Sequence, residues 1–189
     1  MMLGACSLAV NDTPRTTPPG KFKLGINAVN YVLAGTGGFP LPMLGLSGRY
    51  GISEDTDLGF RIFGPGFGME MKKAFNDQSA IAIGANLSSF GALFYDIYGT
   101  YIYGFNPTGS TLYAYFKPHL QGYTTDVTTE DTTYSWAGNG FVLQAGFGFH
   151  GNPEKVIQPS IELGVIYPLI ENSKPAFLLS LGVNFMMGD

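Results

Sequence analysis

The sequence predicts an all-β chain closed into a single antiparallel, up-and-down transmembrane β-barrel of about eight to ten strands. Three observations carry that expectation. From Lys21 onward the apolar residues recur with a period of two rather than 3.6. The face opposite the bulky ones is mostly Gly, Ala, Ser and Asn. Short polar clusters cut the pattern into strand-sized pieces. Composition agrees, with glycine at 27 of 189 positions, aromatics at 14% and Asp, Glu, Lys and Arg together at only 13%. Low charge with many aromatics excludes a disordered chain. A net charge of −4 argues against a nucleic-acid partner, and one cysteine excludes a disulfide scaffold or a cysteine zinc cluster.

The first strand is expected over residues 23–34. Leu44, Leu46, Tyr50 and Ile52 then share a face against Gly45, Ser47, Arg49 and Gly51, and Leu58, Phe60 and Ile62 alternate with Gly59 and Arg61. One strand over 57–75 would overshoot a bilayer at about 3.3 Å per residue. A break at Gly64-Pro65-Gly66 splits it and brings the count to an even ten, which returns both ends of a barrel to one side. Ile81, Ile83, Ala85 and Leu87 make the next face, followed by Tyr- and Phe-rich strands near 93–105 and 111–123. Phe141 to Phe149, Ile161 to Tyr167 and Phe177 to Met187 complete the set. Between them lie the clusters Ser53 to Asp57, Asn76 to Ser79, Asn106 to Ser110, Gly151 to Glu154 and Glu171 to Lys174. Thr124 to Thr133 is the longest polar excursion and reads as a protruding loop.

Small residues suit the cramped inside of a narrow barrel, which turns the Leu, Ile, Val and Phe belt outward. Such a belt is stable only in lipid, where closure also pairs the backbone groups. Tyr31, Phe39, Phe90, Phe94, Tyr103, Phe105, Tyr134, Trp136 and Tyr167 fall near expected strand ends, where rings sit at headgroup level. The alternative is a lipocalin-like soluble barrel binding an apolar ligand, which requires the Leu and Phe faces to point inward.

Residues 1–20 form a separate segment ahead of the barrel at 21–189. Leu3-Gly4-Ala5-Cys6 resembles a bacterial lipobox, which implies lipidation at Cys6; the other reading is a cysteine in a truncated leader. Asn11 to Gly20, rich in Pro and Thr, reads as an extended tether that neither packs nor pairs.

Two further patterns resemble a known family. Arg49-Tyr50-Gly51-Ile52-Ser53-Glu54-Asp55-Thr56-Asp57-Leu58-Gly59-Phe60-Arg61 resembles the strand–turn–strand signature of small bacterial outer-membrane β-barrel proteins. Ser180-Leu181-Gly182-Val183-Asn184-Phe185-Met186-Met187 resembles their C-terminal assembly signal, although Gly188-Asp189 follows where the family often ends on Phe. The resemblance implies the bacterial outer membrane as location, with its lipid and the barrel-insertion machinery as partners. It also implies that Ser180, Gly182, Phe185 and Met187 are the residues this machinery reads.

Arg49 and Arg61 are equidistant from Asp55 and are expected to face each other across a hairpin. Two opposed cations need carboxylates, and Glu70, Asp96 and Glu162 lie on strands to answer them. A salt-bridge plug, a constriction favouring anions and a rim position are the three readings. His119 and His150 fall on the inward face and are expected to bond to neighbours. No GxSxG, P-loop or HExxH occurs, and the acidic clusters Glu54-Asp55-Asp57 and Glu130-Asp131 lack EF-loop spacing and read as solvated turns. A non-catalytic structural, adhesive or narrow-pore role follows, with no cofactor and no metal. An enzyme modifying lipid A is the remaining alternative.

Overall fold

The computed structural model describes residues 9–33, 43–89, 92–128, 133–169 and 174–188. In chain order the strands are β1 (Phe22–Leu33), β2 (Met43–Ser53), β3 (Thr56–Phe63), β4 (Gly66–Asn76), β5 (Ser79–Ser89), β6 (Leu93–Gly104), β7 (Thr111–Thr128), β8 (Thr133–His150), β9 (Ile157–Pro168) and β10 (Ala176–Met187). Each pairs antiparallel with the next and β1 pairs with β10, which closes the barrel. The turn at Gly64-Pro65 separates β3 from β4 where the length argument places it. The turns after β2, β4, β6 and β8 share one end with the start of β1 and the close of β10. That end is termed the near end, and the opposite one the far end.

Alternation decides the solvent. Leu44, Leu46, Leu163 and Leu181 expose 67%, 53%, 59% and 51% of their surface, and equivalent positions on every strand do the same. Water does not tolerate a continuous apolar belt of this extent, whereas hydrocarbon requires it. The lipocalin-like alternative fails here, because these side chains point away from the axis. The chain is a transmembrane barrel of the outer-membrane kind.

Two rim assignments change. Residues 124–128 continue β7, and the pairing with β8 runs to Thr128↔Thr133. The Thr, Val, Tyr and Trp content favours a strand despite the acidic residues that suggested a loop. This hairpin outruns both neighbours, since β6 pairing stops at Leu93↔Thr124 and β9 pairing at Val142↔Pro168. Phe94, expected in the headgroup girdle, is buried instead and packs on Tyr123 inside the barrel. Tyr103, Phe105 and Tyr167 are exposed near strand ends, and Tyr103 and Phe105 meet edge to face at 5.4 Å. Phe39, Phe90 and Cys6 lie outside the described residues, as do the side chains of Tyr31, Tyr134 and Trp136.

The largest correction concerns the expected tether. Residues 9–17 run inside the barrel, with Ala9, Asn11, Asp12, Thr13 and Thr17 buried. Pro and Thr build no regular element, but a lumen lined with polar groups offers partners to the backbone, as Asp57 does to Thr17 N and Lys72 to Thr13 O and Arg15 O. Pro18-Pro19-Gly20-Lys21 then reverses the chain from lumen to wall. Lys21 N donates to Pro18 O at 3.0 Å and Gly20 holds a φ of 74°, the Pro-then-Gly pattern of a type II turn. The turn is clipped to β2, since Gly20 N donates to Gly51 O at 3.0 Å and Gly51 N to Lys21 O at 3.1 Å. Only glycine fits at position 51, where a Cβ would run into the carbonyls of Thr17 and Pro18.

The bilayer placement makes a depth-dependent prediction. Leu163→Arg, at the middle of β9, is expected to lower stability in lipid vesicles by about 2–4 kcal/mol, whereas Leu169→Arg at the rim costs about 0–1 kcal/mol, both read by urea unfolding. The β2–β3 turn makes a second. Asp55 accepts hydrogen bonds from Ser53 and Thr56, each at 2.8 Å, and lies 3.2 Å from Lys73. These donors, Ser53 foremost, lower its carboxyl from 3.8 to about 2. A folded value below the unfolded one makes this stabilisation complete above the unfolded value and lost as pH falls toward the folded one. A carboxyl carbon titration of Asp55 should therefore show its midpoint near 2.

Candidate functional site

Inward positions of β1 to β4 carry Lys23, Arg49, Asp57, Arg61, Glu70 and Lys72, and the N-terminal segment adds Asp12. Asp12 is the shared acceptor. Its Oδ1 takes Lys23 Nζ at 2.9 Å, and its Oδ2 takes Arg49 Nε at 2.9 Å and Lys72 Nζ at 2.7 Å. Lys72 also donates to Thr13 O at 3.1 Å and Arg15 O at 2.8 Å, so one ammonium holds three points of the segment. Arg49 spends its two terminal nitrogens on Asp57 and Glu70. Glu70 in turn bonds Arg61 Nη2 at 2.6 Å and accepts from Tyr98 OH at 2.8 Å.

Two sequence expectations are corrected at this cluster. Arg49 and Arg61 do not face each other: Arg49 pairs with Gly59 and Arg61 with Ser47. A register shift between Gly51 and Ser53 moves the two strands past the symmetric position, and the arginines meet through Glu70. Asp57 is not part of a solvated turn. It is fully buried on β3, within 3.4 Å of Lys72, and accepts Thr17 N at 2.9 Å.

Glu162 anchors the deeper part of the segment. Its Oε1 accepts Val10 N at 3.0 Å, and its Oε2 accepts Asn11 N at 2.7 Å and Tyr113 OH at 2.8 Å. Asn11 Nδ2 reaches Ser180 Oγ at 2.6 Å. Toward the far end Ala9 packs into an apolar cluster of Val29, Val142, Ile166, Ala176 and Leu178. At the near end Arg15 donates to Gly109 O and Thr111 Oγ1, and Thr16 Oγ1 to Glu54 O at 2.7 Å.

Asp96 belongs to a separate network on β5 to β8. It accepts Asn86 Nδ2 at 2.8 Å and His119 Nδ1 at 2.8 Å, and His119 Nε2 lies 3.2 Å from Gln144 Oε1. His150 Nδ1 donates to Gly151 O at 2.8 Å, which leaves Nε2 to accept Asn184 Nδ2 at 3.1 Å. Both ring nitrogens of each histidine thus face a polar neighbour. Lys117 sits over the Tyr98 ring at 4.0 Å from its centroid. Of the assembly-signal positions, Ser180 is buried in the lumen, while Phe185 and Met187 lie on the lipid-facing side of β10.

Sequence reasoning placed Arg49, Arg61, Glu70, Asp96 and Glu162 on strands, but it read Asp57 as part of a solvated turn and passed over Asp12, Lys23, Lys72 and Lys117 as lumen charges. For Lys72 and Lys117 the signal was present: each alternates with apolar neighbours, Met71 in one case and Phe116 in the other. Asp12 carried no such signal.

No protein-family model and no curated protein matches the chain. Several solved structures are similar. An outer membrane channel from Pseudomonas putida matches with a TM-score of 0.49 at 9% identity, covering 96% of this chain and 100% of that one. Neisserial surface protein A gives 0.47 at 12%, over 87% and 95%. The attachment invasion locus protein of Yersinia pestis gives 0.43 at 14%, over 89% and 99%. The chain's own register and lipid-facing belt define its class as a closed outer-membrane-type β-barrel, here with an internal N-terminal segment.

Glu162→Ala removes the acceptor of Val10 N, Asn11 N and Tyr113 OH. Amide exchange at Val10 and Asn11 is expected to accelerate by about 10-fold or more relative to amides of β5 and β6, read by NMR in micelles. Unchanged protection would mean that Glu162 does not hold the segment.

Proposed function

We propose that this chain is a non-catalytic barrel of the bacterial outer membrane whose narrow lumen is held shut by its own residues 9–20. The single observation that carries this reading is the packing of that segment along the axis. Beside it remains a cavity of about 50 Å³, lined by Lys23, Asn27, Ser47, Arg49 and Asn184. That is room for a few waters, not for a solute of sugar size. In the outer membrane the near end, which receives both ends of the barrel, faces the periplasm. Outer-membrane lipid then surrounds the belt, and Ser180, Gly182, Phe185 and Met187 remain the residues proposed for the insertion machinery.

An adhesive or structural role is the second reading, favoured by the β7–β8 hairpin that outruns its neighbours at the far end. Planar-bilayer recording separates the two. The wild-type chain is expected to stay closed for most of the record, and Asp12→Asn to raise the open fraction by about 10-fold or more, because a buried ion cluster that loses one partner is strongly destabilised. Silence from both proteins would discard the pore and leave the adhesive or structural reading.

A further inference from the structure

We propose that Lys23, Arg49 and Lys72 form an anion site for small carboxylates in the barrel wall, and that Asp12 fills it as an intramolecular ligand. Access depends on the self-plugged reading above, since a solute reaches these groups only when residues 9–17 leave the lumen.

The wall is arranged for an anion it does not itself provide. Lys23 and Arg49 are direct partners in the β1–β2 ladder and both point inward. Like charges placed opposite each other repel unless an anion sits between them. Among the described residues Lys23 forms an ion pair with Asp12 alone. The strand-borne carboxylates Asp57 and Glu70 are committed to Arg49, Arg61 and Lys72. Those same contacts hold Arg49 with its Nε free to face the axis, so the site keeps much of its shape without Asp12.

The geometry selects the ligand. One oxygen faces Lys23 and the other is shared by Arg49 Nε and Lys72, a pattern suited to a planar group with two oxygens. Across the described lumen the wall carries five cations, Lys23, Arg49, Arg61, Lys72 and Lys117, against four carboxyl groups, Asp57, Glu70, Asp96 and Glu162. In formal charges the wall is short of one anion, which a monoanionic carboxylate supplies. The segment that now fills the site is imperfectly accommodated. Asn11 adopts a φ of 43°, and Asn11 Oδ1, Arg15 Nε and Thr17 Oγ1 are buried without hydrogen-bond partners. Each feature costs the docked state and favours exchange with a competing ligand.

The test is rescue of Asp12→Ala by acetate in detergent micelles. Thermal midpoints are compared in sodium acetate, sodium chloride and inorganic phosphate at matched ionic strength. In chloride the variant is expected to melt about 10 °C below wild type. Acetate is expected to restore half or more of that loss, to leave wild type unmoved, and to fail when Lys23→Met is added. If the variant does not refold in chloride, the yield of folded barrel on dilution from urea is compared across the same three salts. Equal values in acetate and chloride would overturn the site, and rescue by phosphate equal to that by acetate would overturn its assignment to carboxylates. Because the readout is binding, a barrel silent in bilayers defeats the pore reading without altering this result.

Discussion

The lumen of this barrel leaves its inward charges little bulk water, so each must meet a counter-charge or a hydrogen-bond partner inside. That constraint organises the molecule. Wall strands supply five cations but only four carboxyl groups, and the fifth comes from Asp12 on a segment outside the sheet. Buried ion pairs gain little over well-packed apolar residues, yet breaking one by removing a single partner costs about 3–5 kcal/mol. Their value here is positional. Because the two oxygens of Asp12 face different donors, the segment is held at one depth and in one rotation.

The lipid-facing half of the fold was legible because hydrocarbon imposes a rule on every strand alike. Bulky residues at alternate positions, such as Leu44 and Leu46 or Leu163 and Val165, point the same way whatever occupies the lumen. Bilayer thickness and Gly64-Pro65-Gly66 pointed to ten as the upper end of the expected eight to ten strands. The inside was less legible because lumen chemistry is settled between distant residues. Ile102, Ile166 and Leu178 interrupt the alternation, since each lies between large apolar or aromatic neighbours, yet all three fill the lumen. Asp57 sat in an acidic run that read as a turn, and one register shift separated Arg49 from Arg61. Residues 11–20 were misread for a related reason. Pro and Thr exclude regular structure, but they do not exclude packing against a polar wall.

The segment is held differently along its length. At the far end Ala9 makes apolar contact, at mid-height Glu162 bonds backbone amides, and near the turn Asp12 joins a salt-bridge cluster. On the other side of the lumen Asp96, His119, Gln144 and Tyr115 are linked in a chain of side-chain contacts, and Val10 of the segment packs on Ile102, Tyr113 and Tyr115. The ion pairs of the segment fall on β1 to β4, while its contacts with β6 and β7 are apolar at Val10 and hydrogen-bonded at Arg15. Departure of the segment would therefore expose the charges of β1 to β4 first of all.

The turn at Pro18-Pro19-Gly20 sets the route of such a departure. It is clipped to Gly51 at the near end, and the nine residues from Ala9 to Thr17 span at most about 30 Å when extended. Pivoting there, the segment withdraws through the near end, which breaks the bonds of Arg15 to Gly109, Thr111 and Lys72 and of Thr16 to Glu54. The far end is the harder exit, because Ala9 is packed among Val29, Ile166 and Leu178. Salt alone is a weak lever on this movement, since buried pairs are screened far less than exposed ones. A group that replaces the Asp12 carboxylate between Lys23 and Arg49 acts directly on the term that holds the segment. Opening by competition at that point is thus the movement the lumen chemistry favours.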